Sequence, residues 1–410
     1  MHPLRESLHN ELHARPSIYF SGPAHVYHFA LLDDGKSLDG IVRRLDELAD
    51  NPGRGVQRHG LLRIAGGGFK WERHSEFLSL TWVVPRQADD ARWVELPQPL
   101  RGLLDSHRDL IINALVILVE DEQDADVQLS NYGFKDPAAS LVGSGDATVW
   151  SDFRLSAEGF NRMLLVNRGL NAYRLGRMVR RLVEIETYRM LASLALPTAQ
   201  QLGDTLQELD RELIDLAERN AAADNSQAKA LLDGLTSLSA RLMRCSAGCR
   251  QRFSATAAYA QIVFERIAEL RENHADGHQR LGVFIERRFR PSVRYCAATE
   301  QRLDRLAAGI ANLGELLQTK AQVEVEEQNS KILESLNARS NTQLKIQKAV
   351  EGFSLIAISY YLIGLLKMTL EGLAALGSPF SSKVLFALLA PLFLLTLVLL
   401  ARRLKQAGQH

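Results

Sequence analysis

Two histidines four residues apart, His9 and His13 in the segment HNELH, would share one face of a helix and offer two nitrogen ligands to a metal. A zinc protease needs a glutamate directly after the first histidine, and Asn10 stands there, so a surface or capping role is expected instead. Seven of the eleven histidines (His2, His9, His13, His25, His28, His59 and His74) fall within the first 74 residues, which invites a metal reading of some subset. His25 and His28, however, sit in a strand pattern and point to opposite faces, so packing and hydrogen bonding are expected of them. Cys245 and Cys249, with His274 and His278, echo a two-cysteine, two-histidine zinc set. Both pairs are spaced i, i+4, whereas zinc knuckles bring their cysteines in on a turn. Cys296 has no evident partner, and all three thiols are expected to be buried on helix faces.

The run GGGFKWERHSEF (66–77) exposes backbone amides that could cradle a phosphate. It lacks both the P-loop spacing and the dinucleotide G-x-G-x-x-G pattern. A hairpin turn accounts for the glycines, and the alternation of Lys70, Glu72, Arg73 and Glu76 around Trp71 and Phe77 reads as a half-exposed strand. If the chain holds a ligand, the most economical place is here, beside HPLRESLHNELHARP (2–16), with His9, His13, Glu72, Arg73 and His74 as candidates. Two arginine groups complete the chemistry: Arg174, Arg177, Arg180 and Arg181, and Arg287, Arg288, Arg290 and Arg294 around Pro291. Glu184, Glu186 and Glu286 offer some of them partners at helical spacing, leaving solvated faces or lipid head-group contacts as the simpler readings. No catalytic residue, metal set or cofactor emerges, so an enzyme is not the leading expectation.

The elements that must position these groups change character near residue 167. Before it, β-rich runs cover 24–32, 60–66, 76–84, 110–120, 147–155 and 160–167, and an amphipathic helix over 37–49 carries Leu38, Ile41, Val42, Leu45 and Leu48, with Ser37 as its cap. Close strand spacing favours hairpins and a mainly antiparallel or mixed sheet over a doubly wound one. From 168 onward the pattern is helical, with breaks expected at Pro197, at AAADNS (221–226), at HADGH (274–278), at or near Pro291, and between Thr319 and Gln322. Ile332, Leu336, Arg339, Gln343, Ile346, Val350 and Phe353 follow a 4-3-4-3-4-3 spacing, a heptad seam with polar residues at two core-type positions. Such a seam predicts either a homo-oligomer or a helix packed on the bundle.

Residues 384–401 read VLFALLAPLFLLTLVLLA, 18 uncharged positions that as a helix span about 27 Å, near the hydrocarbon thickness of a bilayer. Thirteen of them are Leu, Val or Phe, so this segment is expected to insert alone. Residues 352–370 form a weaker span, diluted by Ser354, Ser359, Tyr360, Tyr361 and Lys367, and need the partner helix. Glu351, Lys367, Lys383, Arg402 and Arg403 would lie at the membrane interface. By the positive-inside rule Lys345, Lys348, Arg402, Arg403 and Lys405 put both ends in the cytoplasm. No amino-terminal stretch has the pattern of a signal peptide.

The expected organisation is an α+β domain over 1–167, a helical bundle or coiled coil over 168–350, a transmembrane helical hairpin over 351–401 and a cytoplasmic tail over 402–410. With 49 basic against 48 acidic residues, nucleic-acid binding gets no electrostatic support, and three cysteines exclude a disulfide framework.

Together, HPLRESLHNELHARP, GGGFKWERHSEF and VEGFSLIAISYY (350–361) resemble the bacterial domain-of-unknown-function family 3422, described as predicted membrane-anchored proteins. The resemblance covers essentially the whole chain and implies a bacterial inner-membrane protein with no catalytic residues to carry over. In layout alone the chain is similar to CorA-type magnesium channels, but Lys367, Met368 and Thr369 stand where the Gly-Met-Asn pore signature would. The leading expectation is therefore an oligomeric membrane-anchored scaffold or binding protein, with a protein or small molecule as partner. A divalent cation channel is the alternative.

Overall fold

The structure, a computed structural model, describes residues 2, 4, 5, 9, 17–50, 58–87, 90–98, 100–125, 128–222, 227–275, 277–375 and 382–407. Backbone proximity divides the chain into two compact units, Met1–Ala222 with Ala230–Glu315, and Ala223–Lys229 with Leu316–His410.

The first unit is built on one nine-stranded sheet of order β2-β3-β4-β1-β5-β8-β7-β6-β9. Its strands are β1 (Ala24–Leu32), β2 (His59–Ile64), β3 (Gly67–Arg73), β4 (Phe77–Pro85), β5 (Ile111–Asp121), β6 (Ala138–Val142), β7 (Ala147–Ser151), β8 (Asn161–Asn167) and β9 (Asn273–His274). Neighbours run antiparallel except β5 and β8, which are parallel, so the sheet is mixed. β5 is buried over most of its length because both faces are covered at the centre. β6, sequence AASLV, is a strand that the residue pattern did not mark; two alanines and a serine carry little β preference, and pairing with β7 and β9 decides it.

One face packs against helix α1 (Leu38–Leu48) and the short α2 (Leu100–Asp105). There Leu38, Ile41, Leu45 and Leu100 meet Tyr27, Phe29, Phe69, Trp71 and Leu80. Ser37 precedes α1 without a side-chain capping bond; its hydroxyl instead donates to Asp34 Oδ2 at 2.6 Å, and Asp34 also accepts the Ser37 amide at 2.7 Å. The Asp34 carboxylate therefore orders the turn that leads into α1, accepting the amides of Lys36 and Ser37, and the cap expected of the Ser37 hydroxyl is not made.

The other face is covered by α3 (Ala172–Ser193), α6 (Arg250–Glu269) and the start of α7 (Leu281–Ala375). Leu175, Met178, Val179 and Leu182 of α3 pack with Val26, Leu115, Ile117 and Val119 of the sheet. At about 1.5–3 kcal/mol per fully buried aliphatic side chain, these four α3 residues contribute on the order of 6–12 kcal/mol. Helices α4 (Ala195–Ala222) and α5 (Ala228–Ala247) extend the helical layer.

The helix breaks differ from expectation in three places. The helical hydrogen bonding is interrupted at Leu194, and Pro197 lies in the first turn of α4, where its missing N–H has no helical partner to lose. α7 runs through Pro291, and also past Thr319, because no glycine or proline occurs between Glu315 and Glu351.

In the second unit the helix α7 is exposed at every residue over 325–358. Among the described residues, α7 is the helix whose apolar stretch is long enough to cross a membrane, and none of that stretch is buried; α8 (Ser382–Ala407) carries a shorter apolar helix, Phe386–Thr396.

Gly176 of α3 lets the segment 17–20 cross the helix closely, since a Cβ there would lie 2.3 Å from the Ile18 carbonyl oxygen. Gly176→Ala is therefore expected to lower stability by about 1–3 kcal/mol in urea titrations of the detergent-solubilised chain. Gly40→Ala, with nothing within 4 Å of the added carbon inside α1, is expected to raise it by up to about 1 kcal/mol.

Candidate functional site

Between the sheet and α3 lies a cavity of about 60 Å³, enough for a few waters or a small polar molecule. Strand alternation builds its floor. His28 of β1, Lys70 and Glu72 of β3, and Ser79 and Thr81 of β4 all project to the α3 side, while Tyr27, Phe69 and Trp71 project to the α1 side. Val179, Val183 and Thr187 of α3 form the roof, and Ser17, Ile18 and Phe20 close one wall.

Each floor residue has defined partners. His28 Nδ1 and Nε2 lie 2.9 Å from the hydroxyls of Thr81 and Thr187, and Thr187 also accepts from Asn113 Nδ2 at 3.1 Å. Burial, with Coulombic repulsion from His74 and Lys70, pushes the His28 imidazole down to about 3, so this ring is neutral at physiological pH. The Lys70 ammonium, its side chain 9% exposed, pairs with Glu72 Oε2 at 3.0 Å. Burial pulls the Lys70 pKa below its ordinary value against the opposing pull of Glu72. Glu72 Oε1 is buried and accepts no hydrogen bond from the protein among the described residues. His74 stacks on Phe77 at 4.1 Å, and its Nε2 lies 3.4 Å from Ser79 Oγ. That separation is long for a nucleophile and its base, and Ser79 is 8% exposed.

An ion-pair chain lies along the α3 side. Glu184 accepts Arg180 Nε at 2.7 Å and Arg266 Nε on its other oxygen. Burial raises the Glu184 carboxyl, yet the two arginines outweigh it and hold it below the usual range.

The cavity joins two of the five expected ligand residues, Glu72 and His74. It sits where the glycine-rich segment meets the residues that follow HPLRESLHNELHARP. Arg73 points to the opposite face, bonded to Asp39 and 3.6 Å from Asp33, because it is one residue out of phase with Glu72. His9 is exposed and His13 lies outside the described residues. Lys70 and Glu72 are not the half-exposed pair expected; α3 covers that face of β3. Lys70, His28, Ser79 and Thr187 were missed as site residues. Only the two-residue spacing of Lys70 and Glu72 could have flagged the pair, and nothing local reports the helix lid.

His25 Nε2 lies 3.0 Å from the Arg92 carbonyl oxygen, and His278 Nδ1 lies 3.0 Å from that of Pro137. The buried Cys249 thiol donates to the Cys245 carbonyl, and Cys296 is buried on α7. Among the described residues, no group of three or more His, Cys, Asp or Glu is arranged to hold a metal ion. Glu351, Lys367 and Lys383 lie on the exposed helices α7 and α8, Lys367 being 3.9 Å from Glu371; Arg402 is exposed on α8, and Arg403 follows it in that helix.

These features define a mixed-sheet domain with a lidded polar cavity, followed by long helices of which one is apolar enough to cross a membrane. The chain belongs to the family described as "Protein of unknown function (DUF3422)", whose match covers residues 1–407. No curated protein and no solved structure matches it.

Two outcomes test this geometry. In the unfolded chain a histidine titrates near 6.5, so between that pH and about 3 the unfolded chain binds a proton that folded His28 refuses. The stability owed to neutral His28 is complete above pH 6.5 and is lost on acidification at up to about 1.4 kcal/mol per pH unit. His28→Asn is expected to flatten the stability profile between pH 6.5 and 4.5, measured by urea midpoints. Lys70→Met alone strands the Glu72 carboxylate and is expected to cost about 3–5 kcal/mol, whereas Lys70→Met with Glu72→Leu recovers most of it.

Proposed function

We propose that this protein is a membrane-anchored, homo-oligomeric binding or scaffold protein that assembles through its pre-membrane helix. The observation that carries this reading is the seam on α7: Ile332, Leu336, Ile346, Val350 and Phe353 are 56%, 53%, 59%, 60% and 73% exposed in a single chain. Five apolar residues in heptad register favour a matching helix over water, and the same stripe on a second copy supplies one. Arg339 and Gln343, at core-type positions within the seam, favour one register and one partner number.

The seam runs directly into the apolar stretch of α7. A bilayer around that stretch, with α8 returning across it as the second span of a hairpin, removes the apolar side chains from water. Flanking cations favour both ends on the cytoplasmic side of a bacterial inner membrane, with Glu351, Lys367, Lys383, Arg402 and Arg403 among the head groups. The mixed-sheet domain would then present its polar cavity to the cytoplasm, for a small polar ligand or a protein partner.

Alkaline carbonate is expected to leave the chain in membranes, and light-scattering chromatography in detergent is expected to give a defined multimer. Ile346→Asp with Val350→Asp should reduce that multimer to monomer without changing membrane retention. A monomer of the unsubstituted chain over a wide concentration range would remove the assembly reading, and release by carbonate would remove the anchor.

A further inference from the structure

Arg174, Arg177 and Arg181 of α3 are spaced three and four residues apart, so they form one stripe along the helix. They line a cleft of about 260 Å³ whose other wall includes Ser144, Glu269 and Arg271. Two of the arginines are held by acids. Arg174 pairs with Asp146 at 2.6 Å and donates to the Gly143 carbonyl at 3.1 Å, and Arg181 donates to Glu269 at 3.0 Å. Arg177 and Arg271 are exposed and have no ion-pair partner among the described residues. The cleft therefore carries about two uncompensated positive charges, which is the complement of a phosphate group at neutral pH.

Local rules are broken in the same place. The first turn of α3 has no acidic residue, and arginines near a helix amino terminus oppose its dipole. Arg271 follows α6 with φ of +48°, a left-handed position where glycine is the ordinary residue. An anion in the cleft would reverse the first cost, and it gives a reason for a guanidinium at the second. Planar guanidinium forks suit the oxygens of a phosphate better than a single carboxylate would use them.

We propose that this cleft is a binding site for a phosphate-bearing anion, either a soluble phosphate compound or the head group of an anionic phospholipid. It is separate from the cavity beneath α3 and does not depend on how that cavity is used. Isothermal titration of the full chain in a non-ionic detergent with pyrophosphate, and native mass spectrometry for retained phosphatidylglycerol, separate the two sources. Saturable pyrophosphate binding that weakens at least tenfold in Arg177→Gln with Arg271→Gln identifies a soluble ligand. A retained phospholipid adduct that the same double substitution removes, without saturable pyrophosphate heat, identifies a lipid.

Both substituted side chains are exposed and have no ion-pair partner among the described residues, so the thermal midpoint without ligand is expected to stay unchanged. Arg287→Gln with Arg294→Gln, drawn from the other arginine group, is the control and should bind as the unsubstituted chain does. Absence of binding by both probes, or equal loss in the control, would overturn the proposal.

Discussion

Helix α3 lying across the sheet is the contact on which the first unit depends. Its apolar stripe closes the largest buried cluster, its Gly176 admits the 17–20 segment, and its Val179, Val183 and Thr187 roof the cavity. A fourth set of positions, Arg174, Arg177 and Arg181, is turned to the cleft beside Gly143. A 3.6-residue period lets one helix serve these different surroundings without compromise between them.

The covered face of the sheet is chemically uneven. Around β5 and β8 it is mostly aliphatic, with Asn113 and Asn161 bonded to Thr187 and Glu186 of α3. Around β1, β3 and β4 it holds a neutral histidine, a lysine and a glutamate under the same helix. Buried charge is tolerated there because Lys70 and Glu72 neutralise each other and the His28 ring finds hydroxyls on both nitrogens. Elsewhere the structure solves the same problem with tighter sets: Glu186 accepts Arg189 twice and Asn161 once, and Glu120 accepts Arg86 and Tyr132. Against those carboxylates, Glu72 Oε1 accepts no hydrogen bond among the described residues and lines the cavity.

The second unit obeys a different constraint. Among the described residues its helices are largely exposed, and they become increasingly apolar toward their apolar stretches. A second copy and a bilayer are the two environments that would take them out of water, and the proposed function assigns one to the seam and the other to the apolar stretch.

Several features were determined by the sequence alone. β-rich runs located most strands, the 3.6-residue stripe located α1 and α3, and the family was legible from three separated segments. A cavity lies beside the glycine-rich segment, where the turn and strand chemistry is local. Tertiary structure decided the rest. β6 exists because β7 and β9 pair with it, α7 continues past Pro291 because its packed flanks hold the helix, and the partnering of His28 with Thr187 spans 159 residues of chain. Periodicity reports which face of an element is apolar. Which element covers that face, and whether a charged face is wet or lidded, is set by contacts between residues far apart in the chain, and no local pattern encodes them.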